Sequence, residues 1–131
     1  MGNKITVIVL GRFKKKMPEN VKKTAGKILK ILKKKNLEVE IYLTNHRMMR
    51  RLNKEFRGKD KVADVLSFNE PKNFISSPSK YKKIGEIYLN MSDVRCQLLV
   101  HGLLHLLGYD HDGKNDRIKM EKLEQYVYNR S

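Results

Sequence analysis

The stretch that organises this sequence is Leu98-Leu-Val-His101-Gly-Leu-Leu-His105-Leu-Leu-Gly108-Tyr-Asp-His111. Leucine and valine surround the first two histidines, so we predict a helix over about residues 92–107 that is apolar on nearly all sides and buried at the centre of a domain. Glycine readily takes the left-handed conformation that ends helices, and we expect Gly108 to end this one. The fold is therefore expected to form around one buried helix that carries two histidines.

The three histidines of this stretch have the spacing of a metal site. His101 and His105 are four residues apart, so on a helix they lie one turn apart on the same face. Two such imidazoles can reach one ion at about 2.0 to 2.1 Å, and a turn after Gly108 can bring His111 to it. Three neutral imidazoles leave one tetrahedral position open, which is typical of catalytic zinc sites. We therefore predict one Zn2+ ion bound by His101, His105 and His111.

The residue after the first histidine limits the chemistry. The spacing matches the frame His-x-x-x-His-x-x-Gly-x-x-His of the metzincin peptidases, in which Glu follows the first histidine as the general base. This chain has Gly102 there, although glycine costs a helix about 1 kcal/mol relative to alanine. We expect that a side chain at Gly102 would block the substrate or crowd a neighbouring strand. The pattern favours a zinc hydrolase whose substrate is not a peptide.

The rest of the chain alternates between strand and helix patterns. We predict strands over residues 5–10, 37–43, 65–68 and 84–89. Further helices are predicted over about residues 18–35, 46–56 and 115–128, the second capped by Thr44 or Asn45. This order predicts an α+β fold, in which residues 1–131 form a single domain with a mixed β-sheet of about four strands packed with helices.

The chain is short and strongly basic. Its 131 residues suit one domain, and 29 Lys and Arg against 14 Asp and Glu give a formal net charge of +15. This excess favours a polyanionic partner, because neutralising phosphates releases counterions; a solvated lysine-rich surface is the alternative. Cys96 is the only cysteine, so no internal disulfide can form. No apolar run approaches the roughly 18 residues that cross a bilayer, and we expect a cytoplasmic protein with no membrane partner.

The histidine stretch closely resembles the signature of the YbeY family of bacterial endoribonucleases. Two further blocks are similar to family blocks: Leu52-Asn-Lys-Glu-Phe-Arg-Gly-Lys-Asp60 followed by Asp64-Val-Leu-Ser-Phe68, and Gly85-Glu-Ile-Tyr-Leu-Asn90. Together the blocks run from about residue 42 to residue 111. Three positions depart mildly from the family pattern: Ala63, Phe56 and Glu86 stand where the family has Thr, Tyr and Asp.

The resemblance implies zinc-dependent cleavage of single-stranded RNA in rRNA processing, including maturation of the 16S rRNA 3′ end, and in ribosome quality control. It also implies a catalytic arginine, which maps to Arg57; without the family, Arg57 would be interpreted as a surface residue. The ribosome or its small-subunit proteins are further candidate partners, and the general base stays unassigned. Two alternatives remain open, namely a metallopeptidase-like zinc hydrolase and a ribosome-associated module with structural zinc.

Overall fold

A four-stranded mixed sheet forms the centre of the structure. The computed structural model describes residues 2–11, 16–70, 81–91, 96–108, 121–126 and 129. The strands are β1 (Lys4–Val9), β2 (Leu37–Thr44), β3 (Val65–Asn69) and β4 (Lys82–Asn90), in the spatial order β1-β2-β4-β3. Strands β1, β2 and β4 run parallel, whereas β3 is antiparallel to β4 and forms one edge. The predicted α+β fold with a mixed sheet is confirmed.

The helices are α1 (Met17–Ile31), α2 (His46–Arg57) and α3 (Cys96–Leu106), and residues 121–126 are also helical. Helix α1 ends earlier than predicted, because Lys33 adopts a φ of 57° that no right-handed helix continues. Helix α2 is capped as predicted, since the Asn45 side chain accepts a hydrogen bond from the backbone N–H of Met48. Parts of the two predicted C-terminal helices, residues 92–95, 115–120 and 127–128, lie outside the described residues.

The hydrophobic core lies between the sheet and the helices α1 and α3. Alternate side chains of β2 and β4 point into it, and the core side chains of α1 and α3 meet them. On α3 the residues Leu99, Val100, Leu103, Leu104 and Leu106 are each at most 5% exposed. Burying side chains of this size stabilises a fold by about 1.5 to 3 kcal/mol each. Helix α3 is therefore held firmly, as its apolar sequence predicts, and so are the positions of its two histidines.

The opposite face of the sheet is lined by aromatic rings. Tyr42 and Tyr88 stack with their centroids 4.5 Å apart, and Phe68 meets Tyr88 edge-on at 5.7 Å. Phe56 of α2 then contacts Phe68 edge-on at 5.6 Å. Because strand side chains alternate, Ser67 points towards α3 whereas Phe68 points towards α2. Strand β3 thus lies between the two helices that carry the predicted site residues.

Candidate metal centre

His101 and His105 lie on one face of α3 with their rings close together. Their ring centroids are 5.7 Å apart and their planes are inclined by 62°. Both residues are partly exposed, although the helix around them is buried. Two imidazoles that bind one tetrahedral ion at about 2.0 to 2.1 Å have ring centres about 5 Å apart. The observed pair fits a shared zinc ion after a small side-chain rotation.

A carboxylate holds the first of these rings. Nδ1 of His101 lies 2.9 Å from Oε1 of Glu124, which belongs to the helical segment 121–126. An ionised carboxylate only accepts hydrogen bonds, so Nδ1 carries the proton and donates. This arrangement makes Nε2 the ring atom that can ligate a metal, and carboxylates commonly orient metal-binding histidines in this way. His101 and His105 are therefore two imidazole donors of the kind that zinc prefers, and Glu124 orients the first of them without being a donor itself.

Sequence reasoning missed Glu124. It lies 23 residues beyond His101, and no spacing rule connects a carboxylate in one helix with an imidazole in another. The signal that points to such a residue is chemical, because a metal-binding histidine needs an acceptor for its second ring nitrogen. Several carboxylates follow His111 in the sequence, and only the folded structure selects among them.

The other two histidines are His111 and His46. His111 lies outside the described residues, so its role as the third ligand stays a prediction. Within the described part of the chain, no group of three or more metal-ligating side chains is found. His46 is exposed at the start of α2, where its Nδ1 lies 2.8 Å from the Asn90 amide nitrogen. It therefore contacts the end of β4 rather than the two histidines of α3.

Gly102 lies where α3 comes closest to the sheet. A Cβ atom at Gly102 would be 3.2 Å from Cγ2 of Ile87, 3.2 Å from Cγ2 of Val65 and 3.3 Å from Oγ of Ser67. Of the two explanations offered for glycine here, the structure shows that a side chain would crowd the neighbouring strands. Any side chain at this position, including the glutamate of the metzincin frame, would require these three side chains to shift by a few tenths of an ångström.

Two side chains of β3 hold α3 against this edge of the sheet. Ser67 donates a long hydrogen bond of 3.4 Å from Oγ to the carbonyl oxygen of Gly102. Asn69 donates from Nδ2 to the carbonyl oxygen of Leu106 at 2.9 Å. Both hydrogen bonds are accepted by main-chain oxygens in the segment of α3 that carries the two histidines. The strand therefore fixes the height of the histidine pair above the sheet.

Arg57, the predicted catalytic arginine, is the last residue of α2 and is exposed. Its Nη2 lies 3.5 Å from the carbonyl oxygen of Ser67, and its guanidinium carbon lies 5.9 Å from the centre of the Phe68 ring. Since Ser67 also contacts Gly102, which adjoins His101, one strand residue links Arg57 to the histidine-bearing helix. The block Asp64–Phe68 thus places the arginine and the histidines around the same edge strand.

The face of the sheet that is opposite the core, where Tyr42 and Tyr88 stack, also contains a carboxylate cluster around one lysine. Nζ of Lys83 lies 2.5 Å from Glu40, 3.2 Å from Glu70 and 3.8 Å from Glu86. The hydrogen bond from Lys83, followed by that from Tyr42, holds the pKa of the Glu40 carboxyl below its usual value. Burial, followed by the charge of Glu86, raises the pKa of Tyr88 to about 12. The described residues of this cluster are three carboxylates and one cation, whereas the protein as a whole has an excess of cations.

None of the helices in the described ranges is long and apolar enough to cross a bilayer.

Comparison with known proteins gives one consistent result. The family model described as Endoribonuclease YbeY matches residues 10–131. The Endoribonuclease YbeY of Sulfurihydrogenibium sp. is 40% identical over 111 residues, which cover 76% of this chain and 73% of that protein. The protein of the same name from Aquifex aeolicus is 34% identical over 136 aligned residues, covering 92% of this chain and 88% of its own. The solution structure of TM1509 from Thermotoga maritima is similar with a TM-score of 0.52 and 26% identity, covering 95% of this chain and 90% of its own.

Proposed function

The chain belongs to the Endoribonuclease YbeY family, and from this premise we propose that it is a zinc-dependent hydrolase that cleaves single-stranded RNA. The observation that carries the proposal is the pair His101 and His105, with rings 5.7 Å apart on one face of a buried helix. Family membership supplies the reaction class. The net charge of +15 suits a polyanionic substrate.

The residues that would hold the zinc are His101, His105 and His111. A zinc ion bound there would supply Lewis acidity for phosphodiester hydrolysis at neutral pH. Glu124 accepts a hydrogen bond from Nδ1 of His101 and so would leave Nε2 as the ring atom available to a zinc ion. The buried leucines of α3 and the bonds from β3 hold both rings in place, which limits the reorganisation needed during the reaction.

Arg57 would act on the substrate rather than on the metal. Its planar guanidinium can donate two parallel hydrogen bonds to the non-bridging oxygens of a phosphate, where negative charge develops during cleavage. The side chain is exposed, and its contacts within the described ranges are a long hydrogen bond to Ser67 and the Phe68 ring. It can therefore turn to a phosphate without breaking a strong internal ion pair.

The biological substrate that we propose is ribosomal RNA, with the 3′ end of the 16S rRNA as the processed site and the cytoplasm as the location. The family resemblance and the basic character of the chain support ribosomal RNA as the substrate. A partner on the small ribosomal subunit would fit the same role. The peptidase alternative is weakened by Gly102 itself, because that mechanism needs a glutamate at this position.

The test is cleavage of a labelled single-stranded RNA by the purified chain. We expect cleavage that stops on chelation and returns with added zinc, and loss of both zinc and cleavage in His105→Ala. His46→Ala, which removes an imidazole outside the motif, should keep its zinc content. Cleavage that is equally fast in chelator would refute the proposal, and cleavage of a peptide instead of RNA would favour the peptidase.

A further inference from the structure

The exposed side of α2 carries a groove lined by four cations. The groove has a volume of about 530 Å³, and Arg47, Arg50, Arg51 and Lys54 line it together with Asp60. We call it the α2 groove. All four cationic side chains are exposed. Among the described lining residues, one carboxylate faces four cations, which makes this part of the groove strongly positive.

Among the described residues, most of this charge is not neutralised by an ion pair. Arg50 pairs with Asp60 at 2.8 Å, which holds the segment after α2 against the helix and forms one wall of the groove. In the part of the chain that the structure describes, the side chains of Arg47 and Arg51 make no hydrogen bond or ion pair. As far as these ranges show, both guanidinium groups can bind an anion from outside.

The position of Arg47 argues for such an anion. Arg47 lies in the first turn of α2, where the helix dipole disfavours cations, and that turn contains no acidic residue. Lys54 and Arg57 lie in the last turn, where the dipole favours cations. The helix dipole thus explains the cations at Lys54 and Arg57 but not the one at Arg47. A phosphate at this end would be stabilised by both the dipole and the arginine.

The cations form a track that leads to Arg57. Arg47, Arg50 or Arg51, Lys54 and Arg57 follow one another at spacings of three and four, which place them along one side of the helix. From Arg47 to Arg57 the helix rises by about 15 Å, which is long enough for more than one phosphate. The sheet face that carries the aromatic rings is less suitable for RNA, because Glu40, Glu70 and Glu86 surround Lys83 there.

We propose that the α2 groove binds the phosphate backbone of single-stranded RNA next to the cleaved bond and guides it to Arg57. This inference rests on the proposed function, because it takes RNA as the substrate. It assigns to α2 a binding role separate from the metal centre. The occupant is identified by its chemistry, as a flexible chain of phosphates that can follow a row of cations.

The test compares two variants that each remove three positive charges. One is Arg47→Gln/Arg51→Gln/Lys54→Gln in the groove, and the other is Lys22→Gln/Lys23→Gln/Lys27→Gln on the exposed side of α1. Binding of a labelled single-stranded RNA to the full chain is followed by fluorescence anisotropy, and a gel confirms that the RNA stays intact. Thermal unfolding confirms that both variants fold.

We expect the groove variant to lose salt dependence as well as affinity. The loss of three phosphate contacts makes the negative slope of log affinity against log salt shallower by about 2. Raising the salt from about 50 to about 200 mM should therefore weaken RNA binding by a factor that is about 20-fold smaller than for the unchanged chain. The α1 variant should keep a slope close to that of the unchanged chain. Equal slopes for the two variants would overturn the inference, because net charge alone would then explain RNA binding.

The outcomes separate this inference from the proposed function. RNA binding that depends on the α2 groove, in a chain that cleaves no RNA with any metal, would support the groove and refute the nuclease. Zinc-dependent cleavage by a groove variant that binds RNA as tightly as the α1 variant would support the nuclease and refute the groove.

Discussion

Gly102→Ala adds one methyl group at the closest approach of α3 to the sheet. In an unobstructed helix this substitution stabilises by about 1 kcal/mol. Here the new atom meets Ile87, Val65 and Ser67 at 3.2 to 3.3 Å, and two of these are β-branched side chains with little freedom to move. Overpacking a tight site costs about 1 to 3 kcal/mol. We therefore expect a net loss of about 1 kcal/mol in the free energy of unfolding.

Gly26→Ala in α1 provides the matched control. A Cβ there meets only Cδ1 of Ile5, at an ordinary contact distance of 3.7 Å, so this variant should gain up to about 1 kcal/mol. Urea unfolding of both variants measures the difference, which should be about 2 kcal/mol. In thermal unfolding each kcal/mol should shift the midpoint by about 3 to 5 °C for a domain of this size. If both variants were stabilised equally, the close packing at Gly102 would be refuted.

The same substitution should affect catalysis more than stability. A shift of α3 away from β3 would weaken the bond from Ser67 to the carbonyl oxygen of Gly102 and move His101 and His105 relative to Arg57. A displacement of about 1 Å in a catalytic site can cost about 100-fold in rate. RNA cleavage by Gly102→Ala should therefore fall at a temperature where the variant is still folded.

Three further predictions concern the surroundings of the site. Arg57→Ala should keep its zinc and lose RNA cleavage by about 100-fold or more, whereas wild-type cleavage would remove this residue from the mechanism. Glu124→Gln should weaken zinc binding by about 10- to 100-fold in a chelator competition, and an unchanged affinity would show that the contact with His101 is incidental. Lys83→Met should lower the free energy of unfolding by about 1 to 2 kcal/mol at neutral pH, since it leaves partly buried carboxylates without their cation. Because Lys83 lowers the pKa of Glu40, this stabilisation exists above the ordinary carboxyl pKa of 4.5 and is lost as the pH falls through the lowered value. Urea unfolding should therefore show a smaller difference in stability between Lys83→Met and the unchanged chain in acid. A difference that does not change with pH would contradict the ion-pair explanation.

The sequence predicted the elements of this fold well, for local reasons. Alternation in Leu37–Thr44 and the cap at Asn45 depend on neighbours in the chain, and both appear as expected. The prediction extends α1 to about Lys35, whereas the helix ends at Ile31, because Lys33 adopts a positive φ. Lysine gives no sequence signal for this reversal, unlike glycine at position 58.

The site was predictable only in part. The spacing of His101 and His105 follows from helix geometry, and the structure places both rings together. The reason for Gly102 and the contact of Glu124 with His101 depend on elements that are distant in the sequence. Periodicity describes one element at a time, so it cannot show which strand a glycine meets or which carboxylate reaches a histidine.

The most direct test of the metal centre is X-ray absorption at the zinc edge of the zinc-loaded protein. We predict three imidazole nitrogens at about 2.0 to 2.1 Å together with one oxygen donor that exchanges with solvent. In His105→Ala the imidazole count should fall by one or the zinc should be lost. A sulfur donor, or a fourth imidazole in place of the oxygen, would contradict an open zinc site formed by His101, His105 and His111.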